Sequence, residues 1–366
     1  MKTPSSPLKG LAWTVSLSFL ILTGTLSLAL HRWPRYFRGR ATDYEIYMHQ
    51  KSAAGRQLGR RNLVIGDSRG NCHFDPRRFG NPWLNLSLPG GTAMEGFCTL
   101  QNFMSHGNEV DTLLVVYGLD FLSHKNLGFF ENLGIPHQAI TRTQLKELED
   151  VERQWGVLFQ KSKSISKPRL RYLQWLRRLR YDNLPLAYQS NFFAGVRDMT
   201  VQRRTIDAKS TYVREILPRT RGHMLFGKDS AVSGAKRFDP KGSFTLYPFN
   251  RLYLERIFQL THSSGTKVIM VIPPWNEASL ASPHAPRYLD QAQRILGELT
   301  APYPHVRLVM SPASLPNNCF GDDSFHLNER GVDRYTEELR KHVFLQAEAT
   351  PDLPVESTPD LTGMRR

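Results

Sequence analysis

Twenty consecutive residues from Leu11 to Leu30 carry no charge and are mostly Leu, Ile, Val, Phe and Ala, a run long enough for a helix that crosses a bilayer core, which takes about 20 residues. A cleaved signal peptide is the rival reading, because Ser27 and Ala29 fit a small-x-small cleavage pattern. Its apolar region, however, is usually only about 7–15 residues, so the length favours a retained anchor over residues 1–40. Beyond it the apolar pattern shortens to five β-rich runs: Asn62 to Ile65, Trp83 to Leu86, Thr112 to Tyr117, Lys267 to Ile272 and Val306 to Met310. Continuous apolar runs of this length predict strands buried on both faces.

Between and after these runs the spacing turns helical, over Thr92 to Met104, Tyr288 to Leu299 and Asn328 to Phe344, with Asn328 placed as an N-cap. Strands alternating with helices predict an α/β domain, here residues 41–346, with a five-stranded parallel sheet covered on both faces. The alternation breaks between about 121 and 247. That stretch is too long for a loop and is expected to be a mostly helical insertion. The tail, residues 347–366, is rich in proline and acidic residues and is expected to be disordered.

Charge adds one feature. The chain of 366 residues has a formal net charge of +15, and residues 141–250 carry +12 of it. Within them Lys161 to Arg180 holds eight basic and no acidic residues, and Pro168 can open a helix with Leu170, Leu173, Leu176 and Leu179 recurring every third position. This stretch reads either as a packed helix with a solvated basic face or as a contact for anionic lipid or glycan. The three cysteines, Cys72, Cys98 and Cys319, have no CxxC spacing, which supports neither a zinc ribbon nor a disulfide scaffold. They are expected to be buried free thiols, with a Cys72–Cys319 bridge as the alternative. No HExxH, GxxxxGK[ST] or GxGxxG occurs, so metalloprotease, P-loop and dinucleotide chemistry find no motif. No metal or cofactor is expected. Nucleic-acid binding would rest on charge alone and does not suit an anchored chain.

Open α/β sheets bind ligands at the carboxyl ends of their strands, and the polar residues of this chain collect there. The first run ends in Gly66-Asp67-Ser68-Arg69, the second leads to Asn85 and Gly90-Gly91, and the third ends in Gly118-Leu119-Asp120. The fourth ends in Pro273-Pro274-Trp275, and the fifth leads to Asp322-Asp323-Ser324-Phe325-His326. A serine hydroxyl on a tight strand-to-helix turn becomes a nucleophile once a base takes its proton. His326 can be that base, with Asp323 holding its tautomer. Asp67 is expected to stabilise the turn, Arg69 to bind an anionic substrate or form a surface ion pair, and Trp275 to pack or to stack on a sugar.

At these residues the sequence resembles the SGNH/GDSL hydrolase superfamily, over every strand of the expected domain but not the insertion. The resemblance implies a flavodoxin-like three-layer sandwich, with Ser68 as nucleophile, Gly90 or Gly91 as an oxyanion-hole glycine, and Asp323 and His326 as acid and base. Asp120 stands where the family has an oxyanion-hole Asn, and a carboxylate there would repel a developing oxyanion unless protonated or turned away. With the anchor, the GDSR start and the insertion, the chain looks like extracytoplasmic proteins that O-acylate surface or secreted polysaccharides. The function implied is membrane-anchored O-acyl transfer, O-acetyl by expectation, from an acyl donor to a polysaccharide acceptor through an acyl-serine. The partner implied is a membrane-bound O-acyltransferase that passes the acyl group outward. An anchored esterase or lipase is the alternative reading, and a non-catalytic polysaccharide-assembly factor is the third. Because Lys2 and Lys9 nearly balance Arg32, Arg35, Arg38 and Arg40 across the span, the positive-inside rule does not choose an orientation. An envelope acceptor does: residues after Leu30 are expected outside the cytoplasm, in a periplasmic or extracellular location. A reporter active only in the cytoplasm, fused after Arg366, should therefore be silent, and its activity would refute this topology.

Overall fold

The computed structural model describes residues 7–32, 41–80, 82–123, 141–155, 210–225, 239–240, 242–310, 314–321 and 325–341. The chain begins with α1 (Pro7–Arg32) and α2 (Ala41–Ala54). Side chains of α1 are described without a break only over residues 10–22, where Leu11, Trp13, Leu17 and Leu20 are exposed. Among the described residues, no helix is long and apolar enough to cross a membrane.

The body is a five-stranded sheet. Strand β1 (Arg61–Gly66) leads into α3 (Ser68–His73), and β2 (Trp83–Asn85) into α4 (Ala93–Ser105). Then β3 (Val110–Val116) runs into the short α5 (Leu119–Ser123). After α6 (Arg142–Trp155), α7 (210–220) and α8 (Pro248–Ser263) come β4 (Lys267–Ile272), α9 (Glu277–Leu280), α10 (Ala285–Thr300), β5 (Val306–Met310) and α11 (Glu329–Leu339). All pairings are parallel and the spatial order is β2-β1-β3-β4-β5. The direction of winding reverses between β1 and β3, and this switch point, at the carboxyl ends of the strands, is where such sheets take their ligands.

Each strand is apolar on both sides because helices or packed loops cover both faces. Leu63, Ile65, Leu113, Val115, Val268 and Met270 join a large core with α4, α8 and α10, through Phe97, Phe103, Leu254, Phe258 and Leu296. Their neighbours Val64, Leu114, Val116, Ile269 and Val271 face the other way, into a smaller core with Val332, Tyr335 and Leu339 of α11 and with Phe74 and Phe320. Burying each such side chain contributes about 2 kcal/mol, so the period-two alternation holds the sheet between its two layers.

The expected helices are present with shifted ends. Asn328 caps α11, its side chain accepting from the Gly331 N–H at 3.0 Å. The expected insertion is helical where it is described in α5, α6 and α7, and 242–247 returns to α8 without regular structure. Helix α7 docks on α2 through Val213, Leu217 and Ile46 and through a 2.6 Å hydrogen bond from Ser210 to Glu45. Its end reaches the sheet, where the Asn85 N–H donates to the Arg221 carbonyl at 2.9 Å. The basic stretch Lys161–Arg180 and the tail 347–366 lie outside the described residues.

Helix α4 opens with a capping box in which Glu95 reaches back to Thr92, accepting from its N–H at 2.8 Å. Glu95 is 2% exposed, and burial pushes its carboxyl up to about 7. A carboxyl raised in the folded state costs stability once pH passes the unfolded value, and the cost grows until the folded value is reached. Glu95→Gln keeps the acceptor oxygen but cannot ionise. It should therefore flatten the fall in stability between about pH 4.5 and 7 and raise stability at pH 8 by about 3 kcal/mol. Urea unfolding at pH 5 and pH 8 checks this; an equal slope in both proteins would refute it.

Candidate active site

Gly66 ends β1 where a side chain cannot fit, since a Cβ there would lie 1.9 Å from the Val116 carbonyl oxygen. The close approach brings the turns after β1 and β3 together. Asp67, fully buried, caps α3 by accepting from the Arg69 N–H at 2.8 Å and bridges to β3 by accepting from the Gly118 N–H at 3.0 Å. Burial pushes its carboxyl up, against the pull of the Arg69 charge and these N–H groups. Ser68 is thereby the first residue of α3, half-buried on the switch-point edge.

His326 reaches Ser68 from the far end of the domain, with its Nε2 2.7 Å from Ser68 Oγ. The segment that carries it is clamped by the other end of α3. The Cys72 thiol donates to the Leu327 carbonyl at 3.2 Å, and His73 Nε2 lies 3.1 Å from the Phe325 carbonyl and 3.3 Å from the Leu327 N–H. The Gly321 N–H donates to the His326 carbonyl at 2.8 Å, while Leu327 is anchored in the smaller core. One six-residue helix, about 9 Å long, thus presents the serine and grips the histidine loop. Asp323 lies outside the described residues.

Of Gly90 and Gly91, the latter has its N–H engaged by the Leu88 carbonyl at 2.9 Å. Gly90 adopts φ +71°, a left-handed backbone suited to glycine, and its N–H is not part of that bond. The loop is tied down by Asn85, fully buried, whose amide donates to the carbonyls of Gly70 at 2.8 Å and Phe74 at 2.9 Å while its oxygen accepts from the Ser87 N–H at 3.0 Å. Asn71 donates to the Gly222 carbonyl at 2.8 Å and so fastens α3 to the end of the insertion.

Two expectations change in the folded chain. Arg69 does not form a surface ion pair: its side chain is 8% exposed and makes a bidentate pair with Asp120, at 2.5 Å from Nη1 and 2.9 Å from Nη2. Phe325 and Phe121 lie within 5.1 and 5.8 Å of the guanidinium. The guanidinium passes over Gly118 so closely that a Cβ there would overlap it. Nor is Asp120 a lone carboxylate. Burial works to raise its carboxyl, but the Arg69 charge and hydrogen bonds outweigh that and hold it below the usual carboxylate range. The repulsion expected towards an oxyanion is thus offset by the guanidinium beside it. Trp275 is half-buried, 5.9 Å from Tyr288, and with Arg69, Asp120, Pro274 and Phe325 it lines a small cleft on this edge. All three cysteines are buried free thiols. Among the described residues no cluster of His, Cys, Asp and Glu could hold a metal ion.

A serine hydroxyl in hydrogen-bond contact with an imidazole can transfer its proton as it attacks a carbonyl. No protein-family model matches the chain, and no curated protein matches it. Among solved structures it is similar to a protein provisionally described as a platelet activating factor from Streptococcus pneumonia, at 12% identity and TM-score 0.32, over 89% of this chain and 98% of that one. A likeness of that degree determines neither fold nor function.

The buried ion pair generates a prediction. Asp120→Asn removes the charge that compensates Arg69 and should destabilise the protein by about 3 kcal/mol at pH 7. Because the Asp120 carboxyl is lowered in the folded state, its contribution is present above the unfolded carboxyl value of about 4 and is lost as pH falls through the folded one. Urea unfolding at pH 7 and at a series of lower pH values should show the difference between the two proteins shrinking once pH falls below about 4; a difference that does not change with pH, or none at pH 7, would refute the pairing.

Proposed function

We propose that this protein is a membrane-anchored, extracytoplasmic O-acyltransferase of the SGNH type that modifies a polysaccharide through an acyl-Ser68 intermediate. The observation that carries the reading is the 2.7 Å contact of His326 Nε2 with Ser68 Oγ at the switch point of a parallel sheet, beside a cleft. Ser68 Oγ attacks the acyl carbonyl as His326 takes its proton, and the tetrahedral carbon then collapses, expelling the donor's leaving group with that proton. The N–H groups of Ser68 and Gly90 are the candidate donors to the oxyanion, and Asp323 is the candidate partner that orients His326. In the second half His326 takes the proton of a sugar hydroxyl, whose oxygen attacks the acyl-serine, and returns that proton to Ser68 Oγ as the serine leaves.

Hydrolysis differs only in the second nucleophile. A transferase must hold the sugar at an effective concentration that competes with water, which positioning supplies. The basic stretch Lys161–Arg180 and Trp275 are the candidates for holding an acidic acceptor, and the uncharged run Leu11–Leu30 is the candidate anchor that would keep the domain where a membrane-bound O-acyltransferase delivers the acyl group.

The test supplies an activated acetyl ester and an anionic oligosaccharide. Acetylated sugar should form, Ser68→Ala should abolish both acetylated sugar and free acetate, and replacing Arg177, Arg178 and Arg180 by Gln should shift products at least several-fold towards acetate while Ser68 still acylates. Free acetate as the sole product with every glycan offered would replace this reading with the esterase. A Ser68→Ala strain with unchanged polysaccharide acetylation would replace it with an assembly factor.

A further inference from the structure

A cavity lies at the opposite edge of the sheet, at the amino-terminal ends of β1 and β2, about 17 Å of strand away from Ser68. Its volume is about 540 Å³, and Arg56, Arg61, Arg221 and His49 surround a floor that includes Leu58, Trp83 and Leu84. That is within the size range of small-molecule sites, roughly 300–1,000 Å³.

Three arginines line this cavity, each tethered to a main-chain carbonyl. Arg56 donates from Nε to the Ser52 carbonyl at 3.1 Å, Arg61 to the Arg60 carbonyl at 3.0 Å and Arg221 to the Gly80 carbonyl at 3.2 Å. None of the three pairs with a carboxylate among the described residues, although two acidic groups stand close by: Glu109 and Asp111 both pair with Arg60, at 2.8 and 3.1 Å. His49 adds a buried Nε2 with no hydrogen-bond partner among the described residues. Arg221 is held at φ +55°, the sole non-glycine residue with positive φ among the described residues. That backbone costs about 1–2 kcal/mol. It is maintained by the hydrogen bond from the Asn85 N–H and by Gly222, where a Cβ would lie 2.0 Å from the Asn85 carbonyl oxygen. This left-handed residue ends α7, where the Gly222 N–H also closes on the Leu217 carbonyl at 2.8 Å, and it carries the Arg221 side chain to the cavity.

We infer that this cavity is a second site, separate from Ser68, that binds a phosphate ester with an apolar or planar body. Three guanidinium groups match the charge and the bidentate geometry of a phosphate, and the His49 Nε2 supplies a further hydrogen-bonding group. The leucine and tryptophan floor takes the ester's body. The phosphate can come from a lipid headgroup or from a soluble ester.

Isothermal titration of the full chain in non-ionic detergent tests this, with adenosine monophosphate as the soluble probe, dihexanoyl phosphatidic acid as the lipid probe, and adenosine as the uncharged control. At least one phosphate probe should bind saturably, adenosine should not, and Ser68→Ala should leave binding unchanged. Arg61→Gln should weaken binding at least tenfold. Arg56→Gln should do so at least threefold, and because Arg56 is exposed that variant keeps the fold intact. Binding of the nucleotide alone identifies a soluble ester and binding of the phosphatidate alone a lipid headgroup; either supports the site. Saturation by neither probe, wild-type affinity in Arg56→Gln, or loss of binding in Ser68→Ala would overturn it.

Discussion

Asp67 has no exposed surface, and its carboxyl joins two strand ends that share no covalent neighbour: it accepts from the Arg69 N–H at the start of α3 and from the Gly118 N–H after β3. The geometry of the candidate site follows from that junction. It holds Ser68 on a tight turn, and it brings Gly118 under the Arg69 guanidinium, which completes its own bonding on Asp120. A buried carboxyl accepting two main-chain N–H groups satisfies donors that would otherwise be costly to bury. The space for the junction comes from glycine, since any Cβ at Gly66 would run into β3.

The pairing of Arg69 with Asp120 also alters the electrostatics of the site. Asp120 remains ionised beside a permanent cation, so the two contribute little net charge to the cleft. The pair lines the cleft, with the Phe121 and Phe325 rings against the guanidinium.

Much of this was legible along the chain because it is encoded locally. The five apolar runs are the five strands to within a few residues, and Asn328 caps its helix where its side chain and spacing say it should. Ser68 and His326 were legible by type and by order, one just after the first strand and one beyond the last. What could not be read was tertiary. Nothing in the local pattern connects Arg69 to a carboxylate 51 residues away, so Asp120 read as a lone charge and Arg69 as either a contact for an anionic substrate or a surface ion pair. Cys72 and His73 carried no signal for gripping the histidine loop, because their partners lie more than 250 residues distant. Asn85 stood at the end of the second strand as one more polar residue, and only the packing of Gly70 and Phe74 around it reveals its role.

The central claim is that Ser68 is a nucleophile made reactive by His326. The most direct measurement is labelling of the full chain in detergent by a fluorophosphonate, with the adduct located by mass spectrometry of peptides. The account predicts a single adduct, on Ser68, and a labelling rate that falls by orders of magnitude in His326→Ala while the fold, followed by circular dichroism, is retained. An unlabelled Ser68, or labelling at the wild-type rate in His326→Ala, would contradict it.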